Sequence, residues 1–113
     1  MASETVPGSS EKDFETAADR TLRQLEAALT DVAGLEADLE SGILTLEFED
    51  GDKYVINSHR AARQIWMAAA RNAWHFDLGS DETWKASKGG DELWALVEQV
   101  VSTKLKHPVT LPR

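Results

Sequence analysis

The residues in this 113-residue chain most able to do chemistry are its carboxylates. Between Gln24 and Asp52 there are nine Asp or Glu and no Lys or Arg. Hard cations take oxygen donors, so an open acidic run suits iron or manganese better than a site for a soft metal. Within that run Glu36, Asp38 and Glu40 alternate with Leu35, Ala37 and Leu39. On a strand, alternation puts the three acids on one face about 7 Å apart. That spacing is too wide for one compact cage. It fits several shallow sites, each with one or two carboxylates and several waters. Crowded carboxylates repel one another, and a cation or a basic protein surface relieves the repulsion. Upstream, Glu15, Asp19 and Glu26 fall within about 40° of one another along one flank of a helical apolar stripe. The bland reading of such a run is a solvated face that aids solubility.

Other chemistries have less support. The chain has no cysteine, which excludes a disulfide framework, a zinc–thiolate site and a cluster held by its own thiolates. His59, His75 and His107 lie in different elements without HExxH-type spacing. A haem on one of them is chemically allowed, but no spacing supports it. There is no Gly-rich phosphate loop, and no Ser lies near an obvious His base. Trp66, on a strand with Gln64, offers a different clue. If Ile65, Met67 and Ala69 face the core, Trp66 lies on the opposite face beside Gln64, where exposed aromatics act as binding hot spots. The reverse register would bury Trp66, and periodicity alone leaves both open. Trp74, Trp84 and Trp94 read as packing residues.

Charge narrows the partners. The formal charge is −8; residues 1–52 carry −11 and residues 53–113 carry +3. This argues against nucleic acid or an anionic membrane and for a cation or a basic protein surface. No apolar run reaches about 18 residues, and no secretory signal is visible, so a soluble cytoplasmic protein is expected. At 42% hydrophobic residues the chain can build one core, and its length allows one domain.

The elements that must position these groups follow from periodicity. Residues 1–10 read as a flexible tail and 11–113 as a single domain. Ser10 and Asp13 have a loose capping-box spacing. Phe14, Ala18, Leu22, Leu25, Leu29 and Val32 then recur at helical spacing up to Gly34. A period of two follows over residues 35–40 and 44–49. Asp50-Gly51 predicts a two-residue type I′ hairpin, with Lys53–Asn57 returning. Gln64–Ala69, Ala73–Leu78 and Thr83–Ala86 read as strands, with turns at Arg71-Asn72 and Gly79-Ser80. Gly89-Gly90-Asp91 opens a second helix, which His107-Pro108 stops. The last residues could lie extended against the body. Short connections make the sheet antiparallel. Two terminal helices cover one face of about six strands, giving an α+β two-layer sandwich with the other face in water.

The segments Tyr54-Val55-Ile56-Asn57, Gln64-Ile65-Trp66-Met67-Ala68 and His75-Phe76-Asp77 resemble the frataxin family in its bacterial, CyaY-type form. Gly42–Phe48 and Leu93-Trp94-Leu96 also fit, and the likeness spans about residues 11–107. The resemblance implies two roughly parallel helices on an antiparallel sheet. It implies a non-catalytic regulator of iron–sulfur cluster assembly that binds iron weakly and contacts the cysteine desulfurase and the scaffold protein; a monomer is the default expectation. The family's acidic ridge maps onto Glu26, Asp31, Glu36, Asp38 and Glu40, with Asp19 and Glu15 as extensions. Its exposed sheet residues map onto Asn57, Gln64 and Trp66. Two places depart from the pattern. Val32-Ala33-Gly34-Leu35 is short and apolar where relatives are often acid-rich, and Ser58-His59 replaces a polar or basic pair.

Two further readings remain. A metal-independent acidic module could occupy a basic cleft, but it does not account for the Gln-Ile-Trp strand. A ferroxidase needs bridging carboxylates and histidines on facing helices, and there is no Glu-x-x-His pair. Metal-driven association through the acidic surface would convert the monomer into an oligomer.

Overall fold

A computed structural model of the chain describes residues 11–112. The expected tail and the Ser10 cap lie outside the described residues. Helix α1 (Glu11–Thr30) leads into six strands, β1 (Leu35–Glu40), β2 (Ile43–Phe48), β3 (Lys53–His59), β4 (Gln64–Ala69), β5 (Asn72–Leu78) and β6 (Trp84–Ala86), and helix α2 (Leu93–Leu105) follows. The sheet runs β1 to β6 in sequence order, every pair antiparallel. Both helices pack on one face, as the alternation required.

The core lies between the layers. Phe14, Leu22, Leu25 and Leu29 of α1 and Leu93, Val97 and Val101 of α2 are almost fully buried. They meet Leu44, Leu46, Ile56, Ile65, Met67 and Phe76 from the sheet. Truncating one such Leu to Ala typically costs about 2–5 kcal/mol. The buried Trp84 packs edge-on to Phe14 with centroids 6.0 Å apart. Its indole N–H donates to Thr21 Oγ1 at 3.0 Å. That bond satisfies both polar atoms in an apolar setting and ties the short strand β6 to α1. Trp94 is also buried and Trp74 packs against the core, so the three packing tryptophans are placed as expected.

The turns differ in detail from expectation. Ser41 and Gly42 both have positive φ (52° and 80°), and they close the Glu40–Ile43 pair of the β1–β2 hairpin as a two-residue turn. The β2–β3 hairpin, expected to be the type I′ turn, is longer. Gly51 N–H donates to Phe48 O, Phe48 N–H donates to Asp52 O, and of Asp50 and Gly51 only Gly51 has positive φ (93°). That pattern is a three-residue loop ending in a glycine bulge. Extra bonds favour it: Asp50 Oδ1 accepts from the Asp52 N–H, and Lys104 from α2 bridges Asp50 and Asp52. The β4–β5 turn falls on Ala70 and Arg71, one residue earlier than expected, with Ala70 at φ 54°.

Helix α1 ends at Thr30, four residues before Gly34. Gly34 has φ 98°, so the turn calls for glycine, and a Cβ there would also have to push aside a Leu105 methyl of α2, 2.9 Å away. Helix α2 starts after Glu92, whose carboxylate accepts from the Trp94 and Ala95 N–H groups, and it closes on Lys106 in the left-handed conformation. The chain then folds back along α2. Val109 N–H donates to Ser102 Oγ, and Leu111 N–H donates to Glu98 Oε2. Leu111 is buried.

Candidate functional site

The sheet face away from the helices is the candidate site. Strand alternation sends Ile65, Met67 and Ala69 into the core and leaves Trp66 half-buried on the open face, which settles the register that periodicity left open. Pairing places a row of residues across five strands: Glu40 opposite Ile43, Ile43 opposite Asn57, Asn57 opposite Trp66 and Trp66 opposite His75. One end of this row is acidic and the other is aromatic, near the centre of the sheet. Ile43, 47% exposed, is the exposed large hydrophobic residue of the described chain, and it sits between the two parts.

The aromatic centre is built from three strands. Trp66 is stacked on both faces: His59 lies 3.7 Å from it, centroid to centroid, with planes 13° apart, and His75 lies 4.3 Å away at 15°. The indole N–H donates to Gln64 Oε1 at 2.9 Å. Gln64 Nε2 in turn donates to Asp77 Oδ1 at 2.9 Å and contacts Ser87 Oγ at 3.3 Å, and Ser87 donates to Asp77 Oδ2 at 2.8 Å. Thus Trp66 and Gln64 sit in a continuous polar network. Asn57 Nδ2 donates to Ser58 O. His59 and His75 were scattered histidines in the sequence. Their convergence depends on β3 running two residues beyond Asn57, which puts His59 opposite Gln64. The signal was parity: residues 57 and 59 share a face.

The acids are arranged more loosely. Glu36, Asp38 and Glu40 are exposed on the open face of β1. Glu36 stands directly opposite Glu47 of β2, and Glu47 is in turn opposite Lys53. Directly opposite side chains lie about 5 Å apart at Cβ, so Glu36 and Glu47 are a closer pair than neighbouring acids along β1. Glu47 was missed as a candidate because its partner depended on the hairpin register. Glu36, Glu47 and Glu49 line a shallow cleft of about 350 Å³ with Gly34, Leu35 and Phe48. Asp31 is exposed just past α1.

The α1 carboxylates have other partners. Glu15 pairs with Arg60 Nε at 2.6 Å. Asp19 pairs with Arg23 at 2.8 Å. Glu26 accepts from the Leu39 backbone N–H at 3.1 Å, fastening the outer strand β1 to α1. The seven sequence candidates therefore form two groups on α1 and β1 joined through Glu26, not one centre. Among the described residues no cluster of three or more His, Asp or Glu is arranged to hold a single metal ion. The Asp50–Lys104 bond holds the Asp50 carboxyl below the usual range, and bonding to Asp50 and Asp52 pushes the Lys104 ammonium up. A second depressed carboxyl, Asp81, is held by the Thr83 hydroxyl and N–H. Among the described residues no helix is long and apolar enough to cross a membrane.

Two helices on one face of an open antiparallel sheet, with an acidic outer strand and an aromatic centre on the other face, define a frataxin-class sandwich. The sequence matches the frataxin-like domain over residues 7–107. The chain belongs to that family and is of the bacterial CyaY type. It is similar to frataxin from Psychromonas ingrahamii, with a TM-score of 0.84 and 26% identity over 92% of this chain and 99% of that one. It also resembles yeast frataxin, at TM-score 0.69 and 23% identity over 94% of each chain. A trimeric Saccharomyces cerevisiae frataxin, complexed with ferrous iron, matches at TM-score 0.57 and 22% identity over 94% of this chain and 91% of that one. Membership places the protein in iron–sulfur cluster assembly in general, in a family of non-enzymatic iron-binding regulators.

Proposed function

We propose that the protein regulates iron–sulfur cluster assembly by docking its open sheet face on a basic surface of the cysteine desulfurase and on the scaffold protein, with iron as a weakly held cargo at its acidic edge. The observation that carries this reading is the cross-strand row from Glu40 through Ile43, Asn57 and Trp66 to His75. It joins an acidic edge to an aromatic centre on one continuous surface. Asn57, Gln64 and Trp66 are the partner contacts. Trp66 supplies an anchor whose orientation is already fixed by Gln64 and two stacked rings, so little ordering cost remains on binding.

Iron sits on Glu36, Asp38, Glu40 and Glu47 with water completing its coordination, because single carboxylates at strand spacing cannot close a cage. Among the described residues Asp31, Glu36, Asp38 and Glu40 make no ion pair, so an ion displaces nothing there. Glu15, Asp19 and Glu26 extend the surface, but each must exchange an existing partner for the ion. The resting state is a monomer in the cytoplasm. Iron bridging two acidic edges is the route to an oligomer.

The test is a pair of amide NMR titrations, with Fe²⁺ under anaerobic conditions and with a cysteine desulfurase. Both ligands are expected to perturb Glu36, Asp38, Glu40 and Glu47, and only the desulfurase Asn57, Gln64 and Trp66. Perturbation by the desulfurase without any response to iron would instead support a metal-independent acidic module. Silence toward both would overturn the reading.

A further inference from the structure

The β3–β4 turn, residues 60–63, is held from inside by a histidine ring. Ala62 N–H donates to His59 Nδ1 at 3.3 Å, and Arg63 N–H donates to Arg60 O at 3.1 Å. A ring nitrogen that accepts carries no proton, so neutral His59 holds its proton on Nε2. The same ring lies flat on Trp66. His75 covers the opposite face of Trp66, and its ring accepts no backbone N–H among the described residues. The two imidazoles are therefore not equivalent: one is tied to the turn and the other only stacks.

We propose that His59 is a proton-operated latch on the β3–β4 turn. Neutral, it accepts from Ala62 and fastens the turn to the ring. Protonated, Nδ1 becomes a donor facing another donor, and the Ala62 bond is lost. The imidazolium stays over the indole face, where a cation is attracted to the ring. Imidazole is the side chain whose charge ordinarily changes between about pH 5 and 8. Acidification thus releases Ala62 from the ring while the Arg60–Glu15 pair keeps the start of the turn on α1, leaves Trp66 stacked and puts positive charge at the centre of the face. His75 adds a second charge. The charged groups around this stack are Arg60 and Arg63 in the turn, Glu15 on α1 through Arg60, Glu40 at the end of β1, Asp77 on β5 through Gln64, with Lys85 opposite Asp77, and Lys88, which lines a cleft with His75. The consequence for binding rests on the proposed docking to a basic partner: the added charge opposes it, so docking weakens in acid.

The experiment uses the full chain, labelled with ¹⁵N, between about pH 5 and 8. Imidazole nitrogen spectra are expected to show neutral His59 protonated on Nε2, and the Ala62 amide shift is expected to follow the His59 titration with the same midpoint. In His59→Asn the side-chain oxygen can accept in place of Nδ1 without titrating, so the Ala62 amide shift should become nearly independent of pH. Neutral His59 protonated on Nδ1, or an Ala62 amide that ignores the His59 titration, would overturn the latch; both are read on the unaltered chain. A second arm measures affinity for a cysteine desulfurase at both ends of the range. A several-fold loss in acid that is reduced in His59→Asn supports the proposal. Equal affinity at both ends overturns its consequence. Absence of binding at both ends overturns the docking reading and leaves the latch to be decided by the spectra.

Discussion

The open face has two halves that are built to different tolerances. On the acidic edge, Glu36, Asp38 and Glu40 are exposed, make no ion pair among the described residues, and owe their common face to strand parity alone. At the aromatic centre, Trp66 is fixed by two stacked rings and a hydrogen bond, and its neighbour Gln64 by two more contacts. Parity survives many sequence changes; the centre needs β3, β4 and β5 in one register. The loose half suits a hydrated cation or long-range attraction, which tolerate small displacements. The fixed half suits a shape-specific contact, where pre-ordered side chains lower the cost of binding. Charge would bring a partner in, and the centre would decide which partner stays.

Breaking the centre should have the largest effect. Trp66→Ala is expected to weaken desulfurase binding about 30-fold or more, as for a hot-spot aromatic of about 2 kcal/mol. Thermal stability should change far less than for the core residue Trp84, because Trp66 lies on the open face. The check is calorimetric binding together with a melting curve. An unfolded variant would mean that the stack is structural, and unchanged affinity would remove Trp66 from the interface. Next comes the edge. Glu36→Lys with Asp38→Lys should cost about tenfold in affinity at low salt, and the gap to the unaltered chain should shrink as salt screens exposed charges over about 8–10 Å. A loss independent of ionic strength would mean that the edge makes specific contacts and that the two halves do not differ in kind.

How much of this was legible in the sequence follows the same division. The layers, the six strands and the outward acids of β1 followed from periods of 3.6 and 2, because each depends only on neighbours along the chain. What required a second strand was not legible. The Glu36–Glu47 opposition depends on the Ser41-Gly42 turn, and the meeting of His59 with His75 depends on register across β3, β4 and β5. The Asp50-Gly51 hairpin was misread because register outweighs local turn preference: a two-residue loop would put Leu46 opposite Val55, whereas the core needs Leu44 and Leu46 opposite Ile56 and Tyr54. Glu26 looked like a cation ligand by its place on the helix wheel, yet its carboxylate holds the Leu39 N–H of the outer strand. The frataxin likeness located the Asn57, Gln64 and Trp66 face but not the two rings around the tryptophan.

Smaller substitutions sharpen the edge itself. Like charges directly opposite on a sheet are destabilising, so Glu47→Gln should raise stability by a few tenths of a kcal/mol while weakening Fe²⁺ binding at Glu36. Urea unfolding and an anaerobic titration read the two effects separately. Stability that falls instead would mean that the Glu47–Lys53 pairing outweighs the Glu36 repulsion.

The smallest effect concerns acids that are already paired. Asp50 and Asp52 belong to the acidic run, but Lys104 holds them, so they should contribute to folding and little to cation binding. Asp50 has its carboxyl lowered by that bond. A carboxyl depressed in the folded state adds stability above its unfolded value, about 3.9, and loses it as pH falls through the folded value. Lys104 is raised, so its contribution is complete below the unfolded lysine value of about 10.4 and is lost only as pH rises beyond it. Asp50→Asn should therefore lower the urea midpoint slightly and by a constant amount from about pH 5 to 9, and the gap should close in acid below about pH 3.9. Iron binding at the β1 edge should be unchanged in this variant. A gap that persists undiminished in acid would mean that the loss does not come from the carboxylate charge that Lys104 bridges, because Asn keeps the oxygen that accepts from the Asp52 N–H. Loss of iron binding would return Asp50 to the cation surface and erase the distinction between paired and unpaired acids.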